Sequence, residues 1–157
     1  MKPRPRSVER EVARTLSRFF IQHNLSPVER IPVLGRTGPD LTINELGLVI
    51  DVKSRLEVPR TPFTEHPIIS FDDELHLIGA RLRDLPLLVE GEPQPIDFSS
   101  ALIRRWYEHM DEWTRTNYPD GIPALVLHRP KMPIGAALLI LSHENTRRLT
   151  NGYVNRD

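Results

Sequence analysis

Three residues within GRTGPDLTINELGLVIDVKSR, residues 35–55, have the types and spacing to do chemistry: Asp40, Asp51 and Lys53. Charged side chains are seldom buried without a partner or a metal, yet Asp51 and Lys53 interrupt an apolar stretch. In LGLVIDVKSR, strand alternation puts Leu48, Ile50 and Val52 on one face and Val49, Asp51 and Lys53 on the other. Asp51 and Lys53 then stand about 7 Å apart along the strand. NELG supplies turn residues just before it, Asn44 first and Gly47 last. With a two-residue loop between them, residue 40 lies opposite residue 51, where paired Cβ atoms are about 5 Å apart. A three-residue loop with a bulge would shift that register by one.

Two carboxylates at that distance both stay ionised only with positive charge between them. Two arrangements supply it. One is an ion-pair cluster with Lys53 at a sheet edge; the other is a hard divalent ion such as Mg²⁺, commonly held by one or two carboxylates and several waters. Of the 21 basic residues only Lys2, Lys53 and Lys131 are lysine. A compact ammonium can shift its pKa and contact a water or an oxyanion, so lysine at position 53 points to chemistry rather than to plain charge.

Glu9 is a third acid of interest. Val8, Val12, Leu16 and Phe19 form one face of a helix expected from Ser7, as N-cap, to about Phe20. Turning about 100° per residue from Val8, that face spans roughly 0–120° and Glu9 falls at about 100°, inside it. Glu11 falls at about 300°, while Arg10, Arg14 and Arg18 lie between about 200° and 280°. Glu9 therefore points inward, either as a first-turn acid at the helix dipole or as a third carboxylate aimed at Asp40 and Asp51.

The elements that must position these residues follow from pattern and punctuation. A short strand is expected at 30–34, then the hairpin, then a proline-broken loop over 56–70 with Pro59, Pro62 and Pro67. The spacing of Leu75, Ile78 and Leu82 predicts a helix over 72–84, and EGEPQP breaks the chain again. A further helix over 100–116 should bury Leu102, Ile103, Trp106, Met110 and Trp113; strands ALVLH, 124–128, and AALLIL, 136–141, complete the core. The expectation is one α/β domain over 1–157 on a central mixed sheet flanked by helices, with a flexible basic arm at 1–6 and a C-terminal tail at 142–157 that holds one short helix.

Composition narrows the classes of function. With 157 residues, 39% hydrophobic and 27% charged, the chain can bury a proper core. No apolar run approaches the ~20 residues of a membrane helix, and MKPRPRS has no apolar stretch behind it. Cysteine is absent, and His66, His76, His109, His128 and His143 form no metal-spaced pair, which argues against zinc. A cytoplasmic protein without membrane contact is expected. Net charge is zero, but residues 1–36 carry eight basic and three acidic side chains, an excess of five. That asymmetry suits either a polyanion-binding face or a solvated helix.

GPDL, followed ten residues after its aspartate by DVK and preceded by a helix carrying glutamate, resembles the PD-(D/E)xK nuclease superfamily. SVEREVARTL and VIDVKSR are most like archaeal-type and phage-type Holliday junction resolvases, which open with a helix bearing Glu-Arg, as Glu9-Arg10 does here, and continue the lysine motif as Lys-Ser-Arg. The resemblance covers residues 7–55, with Asp51 in place of the commoner glutamate. It implies a restriction-endonuclease-like core, with Glu9, Asp40, Asp51 and the Val52 carbonyl as ligands of Mg²⁺, for which Mn²⁺ substitutes. Lys53 would position or activate the attacking water. Arg6, Arg10, Arg36, Thr37 and Arg55 become candidate DNA contacts, arginine being able to grip phosphate bidentately. The implied activity is a structure-specific DNA endonuclease acting on branched or duplex DNA as a homodimer, with Trp106, Tyr107 and Trp113 as possible dimer surface. A restriction- or repair-type nuclease of the same fold and a catalytically silent DNA-binding module are the alternatives.

Overall fold

The computed structural model describes residues 5–22, 29–30, 41–43, 47–58, 66–71, 74–96 and 101–154. Helix α1, Pro5–Gln22, is uninterrupted by glycine or internal proline, and Val8, Val12 and Leu16 are buried along it. It begins two residues before Ser7, so Ser7 lies in the first turn and is not the cap. Proline suits a first turn, where its missing N–H has no intrahelical partner to lose. Strands β1, Glu29–Arg30, β2, Leu41–Ile43, and β3, Leu48–Ser54, follow as an antiparallel meander. The expected strand at 30–34 is thus described only at its first residue. Gly47 closes the β2–β3 turn at φ +69°, a left-handed conformation that disfavours side chains, and its carbonyl accepts from the Ile122 N–H.

The remaining elements are β4, Ile68–Phe71; β5, Leu77–Arg81; a 3₁₀ turn, Leu82–Asp84; α2, Leu87–Glu90; β6, Gln94–Ile96; α3, Ala101–Asn117; β7, Ile122–His128; a second 3₁₀ turn, Ile134–Ala136; β8, Leu138–Ser142; and α4, His143–Val154. Together the strands make one mixed sheet in the order β1-β2-β3-β7-β8-β5-β4-β6, parallel at β3–β7 and β4–β6 and antiparallel elsewhere. The fold is α/β, with helices on both faces. β6 carries Pro95 at the sheet edge, where a missing N–H is tolerated.

The helix expected over 72–84 is not formed. Residues 77–81 are instead strand β5, between β8 and β4, with Leu77, Ile78, Gly79 and Ala80 all buried. A strand covered on both faces is apolar throughout and has no period-2 signature, so a short run such as LIGA gives no decisive periodicity. β4 and β6 likewise sit at the ends of segments that proline marked as loop.

Alternation divides the core into two layers. Leu48, Ile50, Ala124, Val126 and Leu139 pack with Val8, Val12 and Leu16 of α1, with Val52 against them. Val49, Leu125, Leu127 and Ile140 pack with Ile103, Tyr107 and Met110 of α3. The buried line of α3 is rotated from the expected one: Tyr107 and Thr114 are buried, while Leu102, Trp106 and Trp113 are half-buried.

Helix α4, the short helix expected in the tail, starts on Ser142, whose Oγ accepts from the Asn145 N–H at 3.1 Å. Asn145 Nδ2 donates to the Tyr107 hydroxyl at 2.8 Å, and that hydroxyl donates to the Pro123 carbonyl at 2.9 Å. Arg148 donates to Asn145 Oδ1 and to the Asp120 carbonyl. Burial, the dominant cause, pushes the Tyr107 phenol above its usual value. Tyr107→Phe should cost about 1–3 kcal/mol at neutral pH, because two buried polar partners lose their bond. A phenol with a raised folded pKa stabilises the native state fully below its unfolded value of about 10 and loses that contribution as pH rises through the folded value. Urea melts should therefore show wild type losing stability above pH ~10 more steeply than the variant. Parallel profiles would mean that Tyr107 ionises freely in the folded chain.

Candidate active site

Asp51 and Lys53 lie on one face of β3, as alternation predicts, and their side chains meet: Lys53 Nζ is 3.2 Å from Asp51 Oδ2. Their side chains are 14% and 24% exposed, so the pair opens to solvent at the rim of the α3 layer. The Trp106 ring flanks it, its centroid 6.0 Å from Nζ, at the outer limit of a cation–π contact. A partly exposed pair of this kind contributes about 0–1 kcal/mol. Stability alone gives little reason to set two charges among apolar strand residues.

What fixes this end of β3 is a set of contacts with β7, paired in parallel from Leu48↔Ile122 to Ser54↔His128. His128, 2% exposed, bonds on both ring nitrogens: Nε2 is 2.7 Å from the Met132 carbonyl and Nδ1 is 2.8 Å from Ser54 Oγ. A carbonyl only accepts, so Nε2 carries the proton and, in the neutral ring, Nδ1 accepts from the Ser54 hydroxyl. The Arg55 N–H donates to the His128 carbonyl at 3.0 Å, and Arg129 Nη1 donates to the Leu56 and Val58 carbonyls at 2.7 and 2.9 Å. Ser54, His128 and Arg129 thus hold the strand that presents Lys53. Only one clue to them stands in the sequence, a histidine ending the apolar run ALVLH; its partner is 74 residues away.

The other expected residues divide. The pairs Leu41↔Ile50, Thr42↔Val49 and Ile43↔Leu48 follow the register of the two-residue-loop alternative. Asp40, Arg36 and Thr37 lie outside the described residues, as does the Arg6 side chain. Glu9 is half-buried and Glu11 exposed, in agreement with the helical phase. However, α1 covers the face formed by Leu48, Ile50 and Val52, so Glu9 and Asp51 start from opposite faces of the sheet. Among the described residues, no group of three or more acids or histidines comes together as a metal cage would require. Arg10 and Arg55 are exposed, and Val52 is half-buried towards α1. Tyr107, offered as dimer surface, is core, and Trp106 and Trp113 pack against the same layer.

A cavity of about 520 Å³ lies elsewhere, at the start of β7 between α3 and α4, lined by Tyr107, Asp111, Thr114, Asn145 and Arg148 among others. Neither Asp51 nor Lys53 lines it. Among the described residues no helix is long and apolar enough to cross a membrane. Compared with known proteins, the chain matches no family model, and no curated protein or solved structure is significantly similar to it.

Proposed function

We propose that this chain is a metal-dependent DNA endonuclease of the PD-(D/E)xK type, with a restriction-endonuclease-like core, acting on branched DNA as a Holliday junction resolvase. The observation that carries the reading is the Asp51–Lys53 pair, 3.2 Å apart on one face of β3 and partly open to solvent. The hairpin register and the mixed sheet are compatible with it.

The donor chemistry at Asp51, a carboxylate followed by the Val52 carbonyl, suits a hard divalent cation. Asp51 is one ligand and Asp40, outside the described residues, the second in this reading; Glu9, on α1 over the opposite face, is the third only by reaching round the sheet, which its amide variant tests. Bound Mg²⁺ would supply a water nucleophile at neutral pH and neutralise charge on the phosphate. Lys53 donates hydrogen bonds from a compact ammonium, which suits it to hold the attacking water or a phosphate oxygen. Asp51 orients that ammonium across 3.2 Å, and the Ser54–His128 bond fixes the strand end from which it projects. Arg36, Thr37 and Arg55 are assigned to the backbone of the scissile DNA, Arg10 to DNA backbone approached from α1, and the active species to a homodimer cutting two strands.

The test is cleavage of labelled four-way junctions, flaps and linear duplex by the purified protein. Cleavage of junctions with symmetric nicks supports the resolvase reading; preference for linear duplex moves the protein to restriction- or repair-type nucleases. Binding without any cleavage identifies a silent DNA-binding module. Activity should require Mg²⁺ or Mn²⁺ and fail with Ca²⁺, which takes more ligands at longer distances and looser geometry. Undiminished cleavage in EDTA would sink the metal mechanism.

A further inference from the structure

Helix α1 presents a row of three arginines to solvent. Arg10, Arg14 and Arg18 are exposed at i, i+4 and i+8, while Val8, Val12 and Leu16, also four residues apart, are buried on the opposite side of the helix. Successive guanidinium groups are about 6 Å apart along the axis, so the row runs about 12 Å.

Surface arginines on helices are commonly neutralised by acids one turn away, and α3 follows that habit. Arg104 pairs with Glu108 at 3.6 Å and Arg115 with Asp111 at 3.1 Å. No such pair forms for the three arginines of α1 among the described residues. Glu11, on the same helix, is exposed yet makes no ion pair with Arg14 three residues on. An unpaired row of one sign repels itself unless an anion covers it. Arginine, with its planar fork, matches phosphate oxygens bidentately. A linear row about 12 Å long, with its charges about 6 Å apart, fits a nucleic-acid backbone better than a single small anion.

Position makes the row more than an extension of the candidate active site. α1 packs on the Leu48–Ile50–Val52 face of the sheet, while Asp51 and Lys53 point to the α3 face. The row therefore lies one helix thickness, about 10–12 Å, beyond the far side of the sheet. We infer that Arg10, Arg14 and Arg18 bind the phosphate backbone of a second nucleic-acid segment, distinct from the one presented to Asp51 and Lys53. The inference rests on the nuclease reading only in assigning the α3 face to the scissile segment.

The test compares wild type with the Arg14→Gln/Arg18→Gln double variant in EDTA, so that binding is read without cleavage. Both arginines are exposed and glutamine is a good helix former; matching circular dichroism and melting curves check the fold. For a four-way junction, the plot of log affinity against log salt should become shallower by about 2 in the variant, with roughly tenfold weaker binding at low salt. Titration with a short linear duplex should give two duplexes per wild-type chain and one per variant chain. An unchanged salt slope would overturn the inference. So would a reduced slope with one duplex per chain in both proteins, since the row would then belong to a single track with the active face. A variant that loses binding to phosphatidylserine vesicles while its junction slope stays unchanged would assign the row to anionic lipid instead, and overturn it too. If wild type binds in this way but never cleaves with Mg²⁺, the nuclease proposal fails and this one stands.

Discussion

Asp51→Asn is expected to abolish phosphodiester cleavage, by a factor of about 10³ or more, while leaving the fold and DNA binding nearly intact. A thousandfold loss corresponds to about 4 kcal/mol of transition-state stabilisation, the scale expected when one charged group acting on the reacting phosphate is removed. Asparagine keeps the shape of the side chain and can still accept a bond from Lys53, 3.2 Å away in wild type. Because both side chains are partly exposed, losing the ion pair should lower stability by no more than about 1 kcal/mol. Junction cleavage under Mg²⁺, beside binding and thermal melting, reads all three quantities. Full activity in the variant rules out the proposed site, and a collapse of melting temperature would make the carboxylate structural.

Glu9→Gln and Glu11→Gln should differ by orders of magnitude, although the two acids are two residues apart on one helix. Glu9 is half-buried along the packed side of α1 and Glu11 is exposed. If Glu9 supplies charge to the reacting centre, its amide variant should lose about 10²–10³ in cleavage rate, equivalent to about 3–4 kcal/mol. Glu11→Gln should alter only the salt dependence of binding, by changing charge beside the arginine row. The structure sharpens the question, because α1 covers the sheet face opposite Asp51. Single-turnover cleavage by both variants on one junction substrate, with circular dichroism as a folding control, decides it. Equal small effects would confine Glu9 to a role in packing or at the helix dipole, leaving Asp51 and Lys53 to work without it.

Where the chain repeats a period, its elements were legible. Val8, Val12 and Leu16 gave α1 at 3.6, and Val49, Asp51 and Lys53 gave one face of β3 at 2.0, so the contact between Asp51 and Lys53 could be anticipated. Gly47, at positive φ, marked the hairpin turn correctly. Strand β5 was not legible, because burial on both faces erases the alternation that identifies a strand. Leu75, Ile78 and Leu82 then matched a helical spacing by coincidence. The clamp of Ser54, His128 and Arg129 was hidden for another reason: its hydrogen bonds join segments more than 70 residues apart, and no local pattern encodes such a pair. Tyr107 and Asn145 are similar, 38 residues apart and mutually satisfied in the interior.

The parallel pairing of β3 with β7 has a consequence for how the protein comes into being. A parallel neighbour requires a long crossover connection, and here Ser54 must wait for His128, 74 residues later. At a synthesis rate of ~5–20 residues per second, that interval is about 4–15 s. Throughout it β3 has an open edge on that side, with apolar Leu48, Val49, Ile50 and Val52 exposed to whatever strand arrives first. Charges projecting from an unfinished edge discourage pairing with another chain. Asp51 and Lys53 set two such charges on that waiting strand, and pairings so distant in sequence form slowly.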